Sequence, residues 1–324
     1  MTDLRRWSAD EQVALLFVVL FGLLLAASAA AALLALRERS ASQQALFERF
    51  QLELRAVWVG AVVFWAAWVS GPAGATVLFG AVSFLALREY VTLVKTRRGD
   101  HRSLLLAFFV VLPIQYVLVA NRSFDLFSVF IPVYVFLAIP VVSALAGDPQ
   151  RFLERNAKIQ WGIMVCVYGL SHAPALVLLD FAQHRGRGAF LLLFLVLVAA
   201  CAQGVQAAAS AWLRRRPVAR HIDRSFSLRA WGLGVAAGAL LGAALFWITP
   251  FKAGQALAMA AIAAAAGTLG ELVMSALKRD AGVRIWGNTS SVTGAVGLLD
   301  RVAPLCFAAP VFFHSVRWYF QLRP

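Results

Sequence analysis

Ten long apolar runs divide the sequence, and most of them are separated by short basic segments. A helix that crosses a bilayer must cover about 30 Å of hydrocarbon, which takes about 20 apolar residues. The first run, Val13 to Leu36, holds 24 residues without a charged side chain. The pattern predicts an all-α, polytopic integral membrane protein with about ten transmembrane helices. The candidate spans are 13–36, 56–70, 73–88, 103–120, 126–146, 159–179, 189–213, 230–250, 253–277 and 302–317.

The second and third runs are the weakest candidates. Residues 56–87 carry no charge, but Gly71-Pro72-Ala73-Gly74 interrupts them. They are either two short tilted spans or one re-entrant pair, and the sequence leaves both open. We expect residues 1–90 to form N-terminal membrane helices and residues 91–324 to form one continuous transmembrane unit.

The composition excludes several classes of protein. Hydrophobic residues make up 61% of the chain and charged residues only 14%, whereas a soluble domain has about 25% charged residues. A cytosolic enzyme, a secreted disulfide scaffold and a disordered binder are therefore excluded. The net charge of +14 is the bias expected of cytoplasmic membrane loops. Anionic headgroups and phosphate-bearing substrates, rather than nucleic acid, are the expected counter-charges.

The basic residues also predict the orientation. Of the 30 Lys and Arg residues, 22 fall in alternate connections. Since cytoplasmic loops are enriched in Lys and Arg, this places those connections in the cytoplasm and both termini outside, although Arg5 and Arg6 then lie on the outer side. The basic connections are 37–55, 88–102, 147–158, 214–229 and 278–301.

A carboxylate in the ninth run is the most informative candidate for chemistry. Glu271 follows the 18 uncharged residues of 253–270, and a carboxylate within a span is costly unless it faces a polar cavity or a partner. Ser275 and Lys278, at i+4 and i+7, share its helix face. The alternative is that Glu271 reaches the interface or pairs with Lys278.

A second charged pair, Asp300-Arg301, stands at the start of the last run. By itself the pair is equally compatible with two charged residues that only mark where the span meets the membrane interface. Together with Glu271, however, Asp300 would provide two carboxylates, and Mg²⁺ prefers few carboxylates plus water and phosphate oxygens. Basic segments around such an ion would clamp a nucleotide triphosphate or a lipid phosphate.

These residues carry a family resemblance. The stretch 270–280, G-E-L-V-M-S-A-L-K-R-D, with G-V-R at 282–284 and D-R at 300–301, resembles the signature of the CDP-diacylglycerol synthases, or phosphatidate cytidylyltransferases. That signature runs approximately G-D-x-x-x-S-x-x-K-R, then G-[VI]-K-D, then P-G-H-G-G-x-x-D-R-x-D. The segments 83–90 and 309–313 are similar to a bacterial branch of the same family.

The resemblance implies that CTP and phosphatidic acid react to CDP-diacylglycerol and pyrophosphate at the cytoplasmic face of a bacterial inner membrane. It implies Mg²⁺ as the cofactor, held by Glu271 and Asp300. It also implies phosphatidic acid or another anionic phospholipid as the partner, and it leaves open whether the protein forms a homodimer. Lys278 joins the two acids as a catalytic residue. The implied substrate-binding residues are Ser225, Ser275, Arg279 and Arg301.

The sequence also departs from the family signature. Glu271 replaces the Asp of G-D, Arg284-Ile285 replaces K-D, and no histidine lies between residues 280 and 301. An upstream N-D dipeptide aligns with Ala202-Gln203, and Ala303 replaces the last acid of D-R-x-D. Two functions lead: a divergent cytidylyltransferase, or a catalytically inactive or repurposed relative that binds a lipid or a partner protein. A different phospho-transfer enzyme, such as a CTP-dependent lipid kinase of related architecture, and a transporter also stay open.

Overall fold

Ten helical segments make up almost all of the structure, a computed structural model that describes residues 8–35, 41–94, 96–181, 187–213, 217–224, 226–283 and 297–322. No β-strand occurs in these ranges. Several helices are interrupted by short stretches of tighter or wider turns. The segments are α1 Ala9–Ala35, α2 Ala41–Val69, α3 Gly71–Leu93, α4 Arg98–Ala120, α5 Phe124–Leu145, α6 152–177, α7 Gly188–Leu213, α8 Leu228–Ala244, α9 Ala253–Asp280 and α10 Leu298–Phe320.

Six helices in the described ranges are long and apolar enough to cross a membrane, namely α1, α3, α4, α5, α7 and α9. The all-α membrane fold is therefore confirmed. Segment α8 is apolar but has only 17 residues, and α6 begins with the charged side chains of Glu154, Arg155 and Lys158. Ten membrane crossings stay a prediction.

The chain forms two compact units, residues 1–74 and 75–324. The two weak candidate spans belong to separate helices, because Gly71 adopts a left-handed conformation with φ of +69° and Pro72 follows it at the start of α3. Glycine takes this conformation without strain, and proline is favoured in the first turn of a helix. The functional boundary expected near residue 90 stays a prediction.

In the second unit, four of the five basic connections gather at one end, which we name the charged end. Arg97 of the α3–α4 connection donates to Gln150 of the α5–α6 connection over 2.8 Å. Arg279, at the end of α9, donates to the carbonyl oxygen of Ile222 in the α7–α8 connection over 3.2 Å. Which side of the membrane this end faces stays a prediction.

Other polar contacts tie the helices together at the opposite end of this unit. Arg317 of α10 pairs with Asp125 at the start of α5 over 3.1 Å, and Arg122 pairs with Asp180. Arg187 donates to the carbonyl oxygen of Trp247 over 3.1 Å. Successive helices of the second unit therefore run alternately between the two ends.

Small residues let α7, α8 and α9 pack closely. Gly234, Gly238 and Gly242 recur every four residues along α8. A Cβ atom on Gly234 would lie 2.6 Å from the carbonyl oxygen of Ala202 in α7, and one on Gly238 would lie 3.0 Å from Ala264 in α9. Because lipid tails provide no hydrophobic drive between helices, such close backbone contact is a main source of association. The glycine face of α8 thus lets both α7 and α9 approach it closely.

Candidate functional site

The centre of the candidate site is an ion pair between α9 and α10. Lys278 Nζ lies 2.5 Å from Asp300 Oδ1, and the two side chains are 20% and 27% exposed. Lys278 stands in the last turn of α9 and Asp300 in the first turn of α10, where the helix dipoles favour a cation and an anion respectively. The two halves of the signature, 22 residues apart in sequence, are therefore adjacent in space.

The start of α10 is held by a carboxylate from α3. Glu89 is 3% exposed, and its Oε1 accepts the backbone N–H groups of Gly297 and Leu298 over 2.6 and 3.2 Å. Its Oε2 accepts that of Leu299 over 2.6 Å. Because the first N–H groups of a helix have no partner within the helix, Glu89 satisfies three donors that α10 itself cannot.

Glu89 is a site residue that the sequence analysis missed. The position of Glu89 beside Arg88 in the sequence suggests a local ion pair. The structure shows instead that its carboxylate accepts hydrogen bonds from residues about 210 positions away in sequence. Gly297 has φ of +71°, a conformation that any residue with a Cβ adopts only at a cost, and this turn directs its N–H at Glu89. The available signal was the place of Glu89 in the segment 83–90, which is similar to a bacterial branch of the family.

Glu271 has a different partner from Asp300. Its Oε2 accepts an N–H from Gln203 of α7 over 2.8 Å, and the pair is exposed at the protein surface. Glu271 lies seven residues before Lys278, about 10.5 Å along the helix axis. The alternative in which Glu271 pairs with Lys278 is wrong. Gln203 is the residue that stands in place of the family's upstream acid, so two signature positions are in direct contact.

The other predicted site residues lie around the end of α9. Arg279 contacts the 217–224 segment, as described above, and Ser275 is partly buried on the same helix. Arg301 is exposed beside Asp300. Ser225 lies outside the described residues.

The glycine of the signature has a packing function. A Cβ atom on Gly270 would overlap the ring of Phe307 in α10, whose Cδ2 would be 2.5 Å away. Only glycine allows α10 to approach α9 so closely at this level. Gly270 directly precedes Glu271 in the sequence, so this contact also fixes where the Glu271 backbone lies beside α10.

A Mg²⁺ ion bound between the two acids would require both carboxylates to turn towards one point. Instead Glu271 accepts from Gln203 and Asp300 accepts from Lys278. The described residues contain no group of three or more His, Cys, Asp or Glu side chains that could hold a metal ion. As arranged, the side chains satisfy one another and do not fit a shared Mg²⁺ site, and Mg²⁺ stays a prediction.

The fold and the site together define a polytopic α-helical membrane protein with a cluster of charged residues at one end of its helices. The sequence profile of the Cytidylyltransferase family matches residues 51–319, and the chain belongs to that family. The expected relationship is thereby confirmed.

A curated relative covers most of the chain. The chain is similar to "Uncharacterized protein YnbB" of Escherichia coli (strain K12), with 35% identity over 266 residues, which is 81% of this chain and 85% of that protein. The name of the relative gives no activity, so the similarity supports the family and the fold but no particular substrate.

Proposed function

We propose that this protein transfers a cytidylyl group from CTP to phosphatidic acid and releases CDP-diacylglycerol and pyrophosphate. Family membership supports the reaction class. The observation that carries the proposal for this chain is the Lys278–Asp300 contact, which joins the two halves of the signature at the charged end. We further propose that this end faces the cytoplasm of a bacterial inner membrane, where CTP is available.

The chemistry needs cations more than it needs a nucleophile from the protein. An oxygen of the lipid phosphate attacks the α-phosphorus of CTP and forms a new P–O bond. The bond from the α-phosphorus to the bridging oxygen breaks, and its electron pair leaves with pyrophosphate. Lys278, Arg279 and Arg301 would hold phosphate oxygens as charge moves to the leaving group. Asp300 would position Lys278.

The test is product formation by the full-length protein in mixed micelles with labelled CTP and phosphatidic acid. We expect Asp300→Asn to lower turnover on the order of a hundredfold, since positioned charges supply most of the stabilisation in such a reaction. The matched control is Asp180→Asn, which removes the same charge from an ion pair at the opposite end and should change turnover less than twofold. Equal turnover in the two variants would contradict the proposal.

A charge exchange separates a role in catalysis from a role in folding. In the double variant Lys278→Asp with Asp300→Lys, an ion pair can still join α9 to α10, although each charge then opposes the local helix dipole. We expect the double variant to regain stability relative to Asp300→Lys alone but to remain inactive. If turnover returned together with stability, the pair would serve only to hold the helices together.

The second candidate function is lipid binding without catalysis, and one contact favours it. The hydrogen bond between Gln203 and Glu271 satisfies a carboxylate that a metal-dependent transferase would leave for the metal. This candidate predicts no CDP-diacylglycerol from the wild-type protein, together with retention of phosphatidic acid that weakens in Lys278→Ala and Arg279→Ala. Product formation that depends on Asp300 would refute it.

A further inference from the structure

A cavity of about 890 Å³ opens at the charged end, on another side of α9 from the Lys278–Asp300 pair. Its walls are the end of α3, the start of α6 and the end of α9. Asp280 lines the cavity, whereas Lys278 contacts Asp300. The two side chains point about 160° apart around the helix axis. The lining residues are Tyr90, Leu93, Val94, Thr96, Arg97, Gln150, Arg151, Glu154, Arg155, Ala157, Lys158, Trp161, Leu277, Asp280, Ala281 and Gly282.

Four basic side chains face two acidic ones in this lining. Arg97 and Arg151 are 47% and 76% exposed. The charge of Lys158 is shared with Glu154, whose Oε1 lies 2.5 Å from Lys158 Nζ. Arg97 Nη1 lies 3.9 Å from Asp148 and Arg151 Nε lies 3.9 Å from Glu154, so these two exposed guanidinium groups are only loosely paired near the mouth.

Arg155 differs from the other three basic residues because it is buried. Its side chain is 4% exposed and pairs with Asp100 over 2.7 Å and with Asp148 over 2.8 Å. These contacts fix the beginning of α6 against α4 and so hold the cavity wall in place. Its buried Nη2 has no hydrogen-bond partner among the described residues, so Arg155 supports the cavity wall and is not assigned to the ligand.

The cavity changes from basic to apolar along α6. Arg151 and Trp161 are ten residues apart, about 15 Å along a helix. Trp161 is 44% exposed, and tryptophan is enriched where headgroups meet hydrocarbon. Leu93 and Leu277 add aliphatic surface from α3 and α9. A soluble anion would use only the basic part of such a cavity, whereas a phospholipid would use both parts.

We propose that this cavity binds the headgroup of an anionic phospholipid, as a lipid site separate from the Lys278–Asp300 pair. The phosphate group would lie among Arg97, Arg151 and Lys158, and the glycerol and the first part of the acyl chains would lie against Trp161. The volume is in the range typical of ligand cavities, about 300–1,000 Å³. The lipid bound here does not react, so it does not need the terminal phosphate of phosphatidic acid. A phosphodiester lipid therefore suits this site.

Native mass spectrometry of the detergent-solubilised full-length protein tests the proposal with phosphatidylglycerol as the anionic probe and phosphatidylcholine as the zwitterionic one. We expect retention of phosphatidylglycerol to fall about tenfold in the double variant Arg151→Gln with Lys158→Gln, because each basic group near an anionic lipid contributes on the order of a tenfold effect or less. The matched control, Arg220→Gln with Arg224→Gln, removes two exposed charges outside the cavity. Equal losses in both double variants would overturn the proposal.

A second variant tests the cavity itself without a change in charge. Ala157 lines the cavity and is only partly buried, so Ala157→Trp should fill the space and abolish the preference for phosphatidylglycerol. Unchanged retention in this variant would show that the lipid binds elsewhere. Displacement of phosphatidylglycerol by CTP or pyrophosphate would instead identify a site for soluble phosphates and overturn the proposal as well.

This lipid site and the proposed transferase activity can fail separately. Asp300→Asn should lower turnover on the order of a hundredfold and leave phosphatidylglycerol retention unchanged. Conversely, a wild-type protein that makes no CDP-diacylglycerol but keeps a retention sensitive to Arg151 and Lys158 would leave this site established and the transferase proposal refuted.

Discussion

Replacement of Glu89 should release the start of α10 and disturb the candidate site from a distance. The Glu89 carboxylate accepts three backbone N–H groups, two of them over 2.6 Å. Gly297 and Leu299 are buried, so in Glu89→Ala these two donors lose their partner with little access to water. At about 1.5 kcal/mol for each hydrogen bond to a charged acceptor, the expected loss is about 3 kcal/mol. That is a large share of the roughly 5–15 kcal/mol that stabilises a typical domain.

The loss can be measured globally and locally. Cys166 and Cys306 are buried, so their reaction with a thiol reagent during an SDS titration reports unfolding of the bundle. Hydrogen exchange of peptides that cover residues 297–302 reports the start of α10 directly. We expect Glu89→Ala to lower the free energy of unfolding by about 3 kcal/mol and to remove protection at residues 297–299.

Glu89→Gln keeps one carbonyl oxygen as an acceptor and should lose about half as much stability. The matched control is Asp180→Asn, which breaks an exposed ion pair and should cost at most about 1 kcal/mol. If Glu89→Ala unfolded like the wild-type protein and kept its protection at residues 297–299, the three hydrogen bonds would have no energetic role. Glu89 would then not be a positioning residue for Asp300.

Three further changes test other parts of the same end. Gln203→Asp places a second carboxylate beside Glu271 and should create a binding site for a divalent cation, seen as quenching of the Mn²⁺ electron paramagnetic resonance signal; equal Mn²⁺ binding by the wild-type protein would contradict this. Arg155→Met leaves the buried Asp100 without its cation and should lower the free energy of unfolding by about 3–5 kcal/mol in the SDS titration. Gly270→Leu forces a side chain into the ring of Phe307 and should cost at least about 1–3 kcal/mol, whereas Gly254→Leu, where a Cβ meets nothing within 4 Å, should be nearly neutral.

The helices could be predicted from the sequence because the hydrocarbon length and the basic connections constrain them strongly. Each of the ten apolar runs corresponds to one helical segment. The helix ends could not be predicted as closely, since a helix can continue through charged residues that a hydropathy pattern leaves outside the span. The run at 56–70 belongs to α2, which begins at Ala41, and the run at 230–250 ends early as a helix because α8 stops at Ala244, shortly before Pro250.

The partners of the site residues could not be predicted in the same way. Lys278 and Asp300 were expected near each other because the family signature joins them. By contrast, the contact of Glu89 with residues 297–299 depends on how α3 packs against α10, and no periodicity in either segment encodes it. The contact between Gln203 and Glu271 likewise requires that α7 and α9 lie side by side. The glycines of α8 allow this arrangement, but they do not reveal it from the sequence alone.

The contact between Gln203 and Glu271 explains how one part of the signature can change without loss of the fold. Two carboxylates within hydrogen-bond distance repel each other unless a cation or a proton lies between them. An amide in one of the two positions removes that need, because its N–H group donates to the remaining carboxylate. The α7–α9 contact is then satisfied in the absence of metal, whereas Lys278, Asp300 and Gly270 still hold α9 to α10. These three residues therefore have a structural role whether or not the protein is an enzyme. The activity of the Asp300 variants is the measurement that distinguishes a transferase from a relative that only binds lipid.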